Sequence, residues 1–176
     1  AFPAEYSNAL SGVFDMHLRN GNNQKYEHAF QVGLMGIDLA SEGPISKKRG
    51  SSYLVNYRFS TTSLASGNDI NLKYQDLAFK LNFPTRKAGT FSIWGLGLAD
   101  RNKVDALERS EWETMGDRSS GSNKLDKLAG GLAHKYVIDE NTYIRSSLSA
   151  TYSKDRSMAD LHTDNEIVQV ADIQNS

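Results

Sequence analysis

In residues 53–60 apolar and polar side chains alternate without a break. Tyr53, Val55, Tyr57 and Phe59 fall on one side of an extended chain, and Leu54, Asn56, Arg58 and Ser60 on the other. Residues 76–83 repeat the arrangement, with Leu77, Phe79, Leu81 and Phe83 set against Asp76, Ala78, Lys80 and Asn82. Residues 143–152 place Ile144, Leu148, Ala150 and Tyr152 opposite Arg145, Ser147, Ser149 and Thr151. Strands with one apolar and one polar face predict an antiparallel sheet. No segment longer than about ten residues sustains helical spacing.

Weaker strands fill the gaps. Residues 25–39 carry Phe30, Val32 and Leu34, after which the parity flips to Met35, Ile37 and Leu39, predicting a tight reversal or bulge near Gly33–Gly36. Residues 90–99 hold Phe91 and Ile93 on one parity but Trp94, Leu96 and Leu98 on the other. Gly95 and Gly97 there admit either a bulge or the close approach of a neighbouring backbone. Residues 128–138 set Leu128, Leu132, Tyr136 and Ile138 against Ala129, Gly131, Ala133 and Lys135. The reading is all-β, an antiparallel up-and-down meander of about seven strands after residue 24. Short turns are expected at 43–50, 84–89 and 139–141, and longer polar loops between them, notably 100–127.

Two architectures share this pattern. A soluble sandwich or small barrel turns the apolar stripes inward as a core. A transmembrane barrel turns them outward to lipid and keeps its lumen polar, with short periplasmic turns and longer outer loops. Tyr53, Phe83, Phe91, Tyr136 and Tyr143 cluster at stripe ends beside the short turns, where a membrane protein carries an aromatic girdle. Tyr and Phe are also simply good strand formers, so periodicity leaves both architectures open.

Composition narrows the field only partly. Hydrophobic residues at 39%, with 14 glycines, suit a folded chain and exclude a disordered or collagen-like one. Twenty basic residues against 21 acidic ones leave a net charge of −1, without the basic footprint of a nucleic-acid binder. Zero cysteines exclude a disulfide framework, thiol catalysis and cysteine-based zinc sites. The longest apolar run, 93–99, is far short of the roughly 18 residues of a membrane helix. A mean hydropathy of −0.53 does not decide solubility, because a transmembrane barrel averages polar and apolar positions.

The chemistry of an enzyme is hard to find. His17, His28, His134 and His162 are scattered, without metal-ligand spacing. Gly95-Leu96-Gly97 lacks the strand–turn–helix setting of a dinucleotide loop, and no G-x-S-x-G elbow occurs. Asp105, Glu108, Glu111, Glu113 and Asp117 lack the order of a calcium-binding EF-hand and read as a solvated loop. Trp112 and Met115 in that loop either touch a ligand or pack the loop on its rim. The reading is a non-enzyme without a cofactor.

The N-terminal motif points further. Residues 3–15 read PAEYSNALSGVFD, and Pro3, Ala4, Glu5, Tyr6, Ala9, Ser11, Gly12 and Val13 resemble the end of the plug domain of TonB-dependent outer-membrane receptors. IDLASEGPI at 37–45 is similar to that family's early barrel strand, and YLVNYRF at 53–59 to the strand that follows. Ser7 in place of Gly, Phe14-Asp15 in place of Ile-Asn, and Glu42 before Gly43 depart from the usual pattern and resemble the Bacteroidota branch, whose receptors include some with an N-terminal carboxypeptidase-like regulatory domain. Beyond residue 60 the agreement is one of pattern alone.

The resemblance implies a piece of a larger receptor. Residues 1–23 would be the C-terminal end of the plug and 24–176 the first strands of a plugged barrel of about 22 strands. It implies import of a scarce or bulky solute across the cell outer membrane. Its partners would be outer-membrane lipid, the rest of the barrel and plug, the TonB energy-coupling complex, an unknown solute and a surface lipoprotein. Asn56, Arg58, Asp76, Lys80, Asn82, Lys135 and Arg145 would face the lumen, either bonding the plug and lining the solute route or hydrating an open lumen. Val55, Tyr57, Leu77, Phe79, Leu81 and Leu148 would face lipid. A soluble secreted β-sandwich or small-barrel binding module is the alternative.

Overall fold

The computed structural model describes residues 17–34, 36–61, 70–163 and 166–175. The motif at 3–15 and most of the proposed plug end therefore lie outside the described residues. Eight strands follow in chain order: β1 (Glu27–Gly33), β2 (Gly36–Ser46), β3 (Ser51–Thr61), β4 (Ile70–Pro84), β5 (Thr90–Val104), β6 (Ser119–Val137), β7 (Tyr143–His162) and β8 (Ile167–Asn175). They form one sheet in the order β1 to β8, every pair antiparallel. The meander expected from the alternation is what the chain forms, with eight strands rather than about seven.

The sheet is not closed. Among the described residues β1 pairs only with β2, and β8 pairs with β7 only from Asp155 to His162. The half of β7 beside β6 from Tyr143 to Lys154 thus presents an edge. The expected reversal near Gly33–Gly36 is a tight hairpin, with Gly33 opposite Gly36. A Cβ on Gly36, at φ 150°, would overlap the Phe59 carbonyl on β3, so glycine lets the hairpin end sit against its neighbour.

Residues 100–127 form less loop than their polarity suggests. Asp100 to Val104 complete β5 and Ser119 to Lys127 begin β6, in unbroken register from Val104–Gly121 to Asp100–Leu125. Both faces are polar there because the strands run on past the apolar zone into water. The remaining loop, 105–118, is closed by the Leu107 N–H on the Asp117 carbonyl at 2.8 Å. No bulge interrupts β5. Its pairing with β4 is continuous from Thr90–Pro84 to Val104–Ile70, so Trp94, Leu96 and Leu98 share the polar face. The glycines serve close packing instead: a Cβ on Gly95 would come within 2.5 Å of the Phe79 ring.

Candidate functional site

Register sorts the side chains into rows. Directly opposed residues point the same way, so Leu39, Tyr57, Leu77, Gly97, Leu128 and Tyr152 form one apolar row across β2 to β7. Val55, Phe79, Gly95, Gly130 and Ala150 form the next, and Tyr53, Leu81, Ile93, Leu132 and Leu148 the one after. Val55, Tyr57, Leu77, Phe79, Leu81 and Leu148, grouped from parity alone, thus lie on one face. Phe83, Phe91 and His134 continue it toward the short turns, with the His134 ring stacked on Phe91 at 4.3 Å. Tyr143 does not belong to this aromatic edge. It opposes Val137 on the other face, where the Lys135 ammonium lies 5.0 Å from its ring centroid.

Nothing among the described residues packs over the apolar face as a core. Among the described residues no hydrophobic side chain is buried; Phe30 is 68% exposed, Leu132 53% and Leu148 72%. Val55, Tyr57, Phe79 and Leu81 are half-buried, because neighbours in adjoining rows shield them laterally. On β6 and β7 the zone ends sharply toward the loops, where Asp126 opposes Lys154 and accepts from Arg101, one row further along β5, at 2.6 Å. On β2 and β3 the same row holds Ile37 and Phe59. Residues 128–136 and 144–152 span the zone on β6 and β7. At about 3.3 Å per residue and a tilt of about 40° they rise about 20 Å before side-chain reach, close to the roughly 25 Å lipid-facing band of an outer-membrane barrel.

The opposite face is a polar lattice. The Asn56 amide donates to Asp38 Oδ1 at 2.8 Å, and Arg58 Nε to Asp76 Oδ2 at 2.8 Å, with the Arg58 guanidinium 5.3 Å from the Tyr74 ring centroid. Ser92 donates to Asn82 Oδ1 at 3.2 Å. Register places all seven residues expected on this face, Asn56, Arg58, Asp76, Lys80, Asn82, Lys135 and Arg145, on it together. They are spread over β3, β4, β6 and β7, and no single pocket gathers them. Ser52 and Asn82, opposite each other on this face, are buried, and among the described residues the Ser52 hydroxyl is without a partner.

A strap crosses this face. Segment 17–26 is not part of the sheet and reaches it at Glu42 and Lys80, both polar-face positions. Glu42 receives both guanidinium arms of Arg19 at 2.6 and 2.5 Å and the Asn22 N–H at 2.7 Å. Lys80 donates to the Leu18 carbonyl at 2.6 Å. Gly21 is buried, and a Cβ there would overlap the Tyr53 carbonyl, so the strap lies backbone against backbone on β3. The Asn22 side chain then accepts the N–H groups of Gln24 and Lys25, an Asx turn that directs the chain into β1. Sharing a hydrogen bond with Glu42 holds the Arg19 guanidinium above its already high pKa.

Glu42 is the residue that sequence reasoning left out of the site. Its signal was a carboxylate on the polar parity of β2, where the family pattern differs. Trp94 was missed because an apolar ring on the polar parity read as a bulge: it faces Gly131, where an added Cβ would lie only 3.0 Å from the indole nitrogen. The histidines lie apart, His28 bonded to Ser41 at 2.9 Å and His162 to Ser120 at 2.9 Å. Comparison of the chain with protein-family models, with curated proteins and with solved structures returns no match.

Proposed function

We propose that this sheet is a stretch of the wall of an outer-membrane β-barrel, its apolar face toward lipid and its polar face toward the lumen. The observation that carries the reading is the apolar face itself, which covers no core among the described residues and on β6 and β7 gives way to charge after about one bilayer height. A soluble sandwich needs a second sheet over that face, and all eight strands lie in one. The open edges support a larger barrel, since unpaired strand edges are not tolerated in hydrocarbon. The strap on the polar face, together with the motif at 3–15, supports a TonB-dependent receptor whose plug leads into the first strand at residues 17–26. In that protein the wall and plug would import a scarce or bulky solute, drawing on the TonB energy-coupling complex and served by a surface lipoprotein. Asn56, Arg58, Asp76 and Lys80 would hold the plug and line the route.

Single-tryptophan variants test the orientation. In bilayers carrying brominated acyl chains, Leu132→Trp should be quenched and Ala133→Trp, one residue on, should not. The protein should fractionate with outer membranes and need detergent for solubility. A detergent-free monodisperse monomer, or equal quenching at the two positions, would overturn the reading.

A further inference from the structure

The short-turn rim carries cations that the rest of the molecule does not explain. Turn 47–50 bears Lys47, Lys48 and Arg49 in one 3-10 turn with no acidic residue, and turn 85–89 bears Arg86 and Lys87; all five are exposed. The two turns abut, since the Cβ position of Gly50 lies 3.6 Å from Pro84. Neither turn uses these side chains to hold its shape. Gly50 N–H closes the first on the Lys47 carbonyl, and Thr85 closes the second through its N–H and hydroxyl on the Gly89 carbonyl.

At the opposite end of the sheet three cations are paired with acids, Arg101 with Asp126, Lys103 with Asp105 and Arg156 with Asp172, while Lys124 and Lys154 stand exposed and singly rather than grouped in one turn. Among the described residues none of the five rim cations has an ion-pair partner. The carboxylates beside the strap are engaged, Glu42 by Arg19 and Glu27 by Lys25. The neighbouring turn 138–142 has Asp139 and Glu140 instead, so the charge is confined to two turns.

Order along the strands identifies what would match it. Moving toward these turns, the apolar rows give way to an aromatic edge of Tyr26, Tyr53, Phe83 and Phe91, then to the cations. Acyl chain, interface and anionic headgroup succeed one another in that sequence across one leaflet. We infer that turns 47–50 and 85–89 form a docking rim for anionic phospholipid headgroups on the short-turn side of the membrane. The inference rests on the membrane-wall reading.

The test uses the protein that carries this chain, reconstituted in phosphatidylcholine vesicles doped with phosphatidylglycerol, with the lipid retained on detergent extraction quantified. Each cation at an anionic surface strengthens attachment about fivefold, so phosphatidylglycerol should be retained at least about fivefold above its bulk ratio and lose that excess in high salt. The combined Lys47→Gln, Lys48→Gln, Arg49→Gln, Arg86→Gln, Lys87→Gln variant should return to the bulk ratio, while Lys47→Arg, Lys48→Arg, Lys87→Arg keeps the excess. Lys103→Gln with Arg156→Gln, at the far end, should change nothing. An excess that survives the fivefold substitution, or is lost equally in the far-end control, overturns the inference. So does retention of peptidoglycan sacculi in place of lipid. A protein that inserts into vesicles but shows no lipid preference refutes the rim alone; one that does not insert refutes the membrane wall as well.

Discussion

Leu148→Arg separates a lipid-facing wall from a water-facing sheet, and Ser147→Arg is its internal control. The two positions are adjacent on β7 and share its backbone environment, but their side chains point to opposite faces. Leu148 lies midway in the apolar zone of β7, in a row with Leu132, Ile93, Leu81 and Tyr53. It is 72% exposed within the chain. Complete burial of a leucine side chain contributes about 1.5–3 kcal/mol, so the quarter or so that its neighbours cover is worth only about 0.4–0.8 kcal/mol. In water the arginine would therefore cost less than about 1 kcal/mol. At a bilayer midplane it costs about 2–4 kcal/mol. Urea titration of folding into phospholipid vesicles measures the difference, and Ser147→Arg should stay below about 1 kcal/mol because a polar lumen would hydrate it. Equal losses at the two positions, or less than about 1 kcal/mol at Leu148, would refute the assignment. Phe79→Arg is a poorer probe, since the Phe79 ring also covers Gly95 and its loss uncovers backbone.

Glu42→Gln removes the charge that joins Arg19 and the Asn22 N–H; amide exchange at Gly21 and Asn22 should become severalfold faster while the strand amides of β3 and β4 keep their protection. Gly131→Ala places a Cβ 2.6 Å from the Leu148 carbonyl and 3.0 Å from the Trp94 indole, so chemical denaturation should show a loss of about 1–3 kcal/mol, whereas Gly33→Ala, with open space around it, should be near neutral. The Asp117 carboxyl, in loop 105–118, is held below the usual carboxylate range by the N–H groups of Thr114 and Glu113. Its contribution to loop order is complete above the ordinary aspartate pKa and disappears as pH falls through the lowered value. Trp112, tied to the Leu107 carbonyl at 2.8 Å and beside Arg118, should shift its emission to the red on that acid limb, and Asp117→Asn should abolish the transition.

Strand parity was legible in the sequence because it depends on the chain alone. An extended backbone sends alternate side chains to opposite faces whatever lies beside it, so residues 53–60, 76–83 and 143–152 declared their two faces without knowledge of a partner. The polar and apolar groups each fell on a single face for that reason. Register was not legible. It is a relation between strands, and only pairing showed that Trp94, Leu96 and Leu98 continue the polar face without a bulge, that the Phe79 ring fills the space over Gly95, and that Asp126 and Lys154 close the apolar zone of β6 and β7 at one level. Polarity was also misleading at 100–127, because a strand wetted on both faces loses the alternation by which a sequence announces it. The strap lay furthest from view. Glu42 meets Arg19 across 23 positions, and Lys80 meets the Leu18 carbonyl across 62. Those contacts exist only once three strands have set Glu42 and Lys80 on one polar surface, with a glycine where the crossing backbone must touch it.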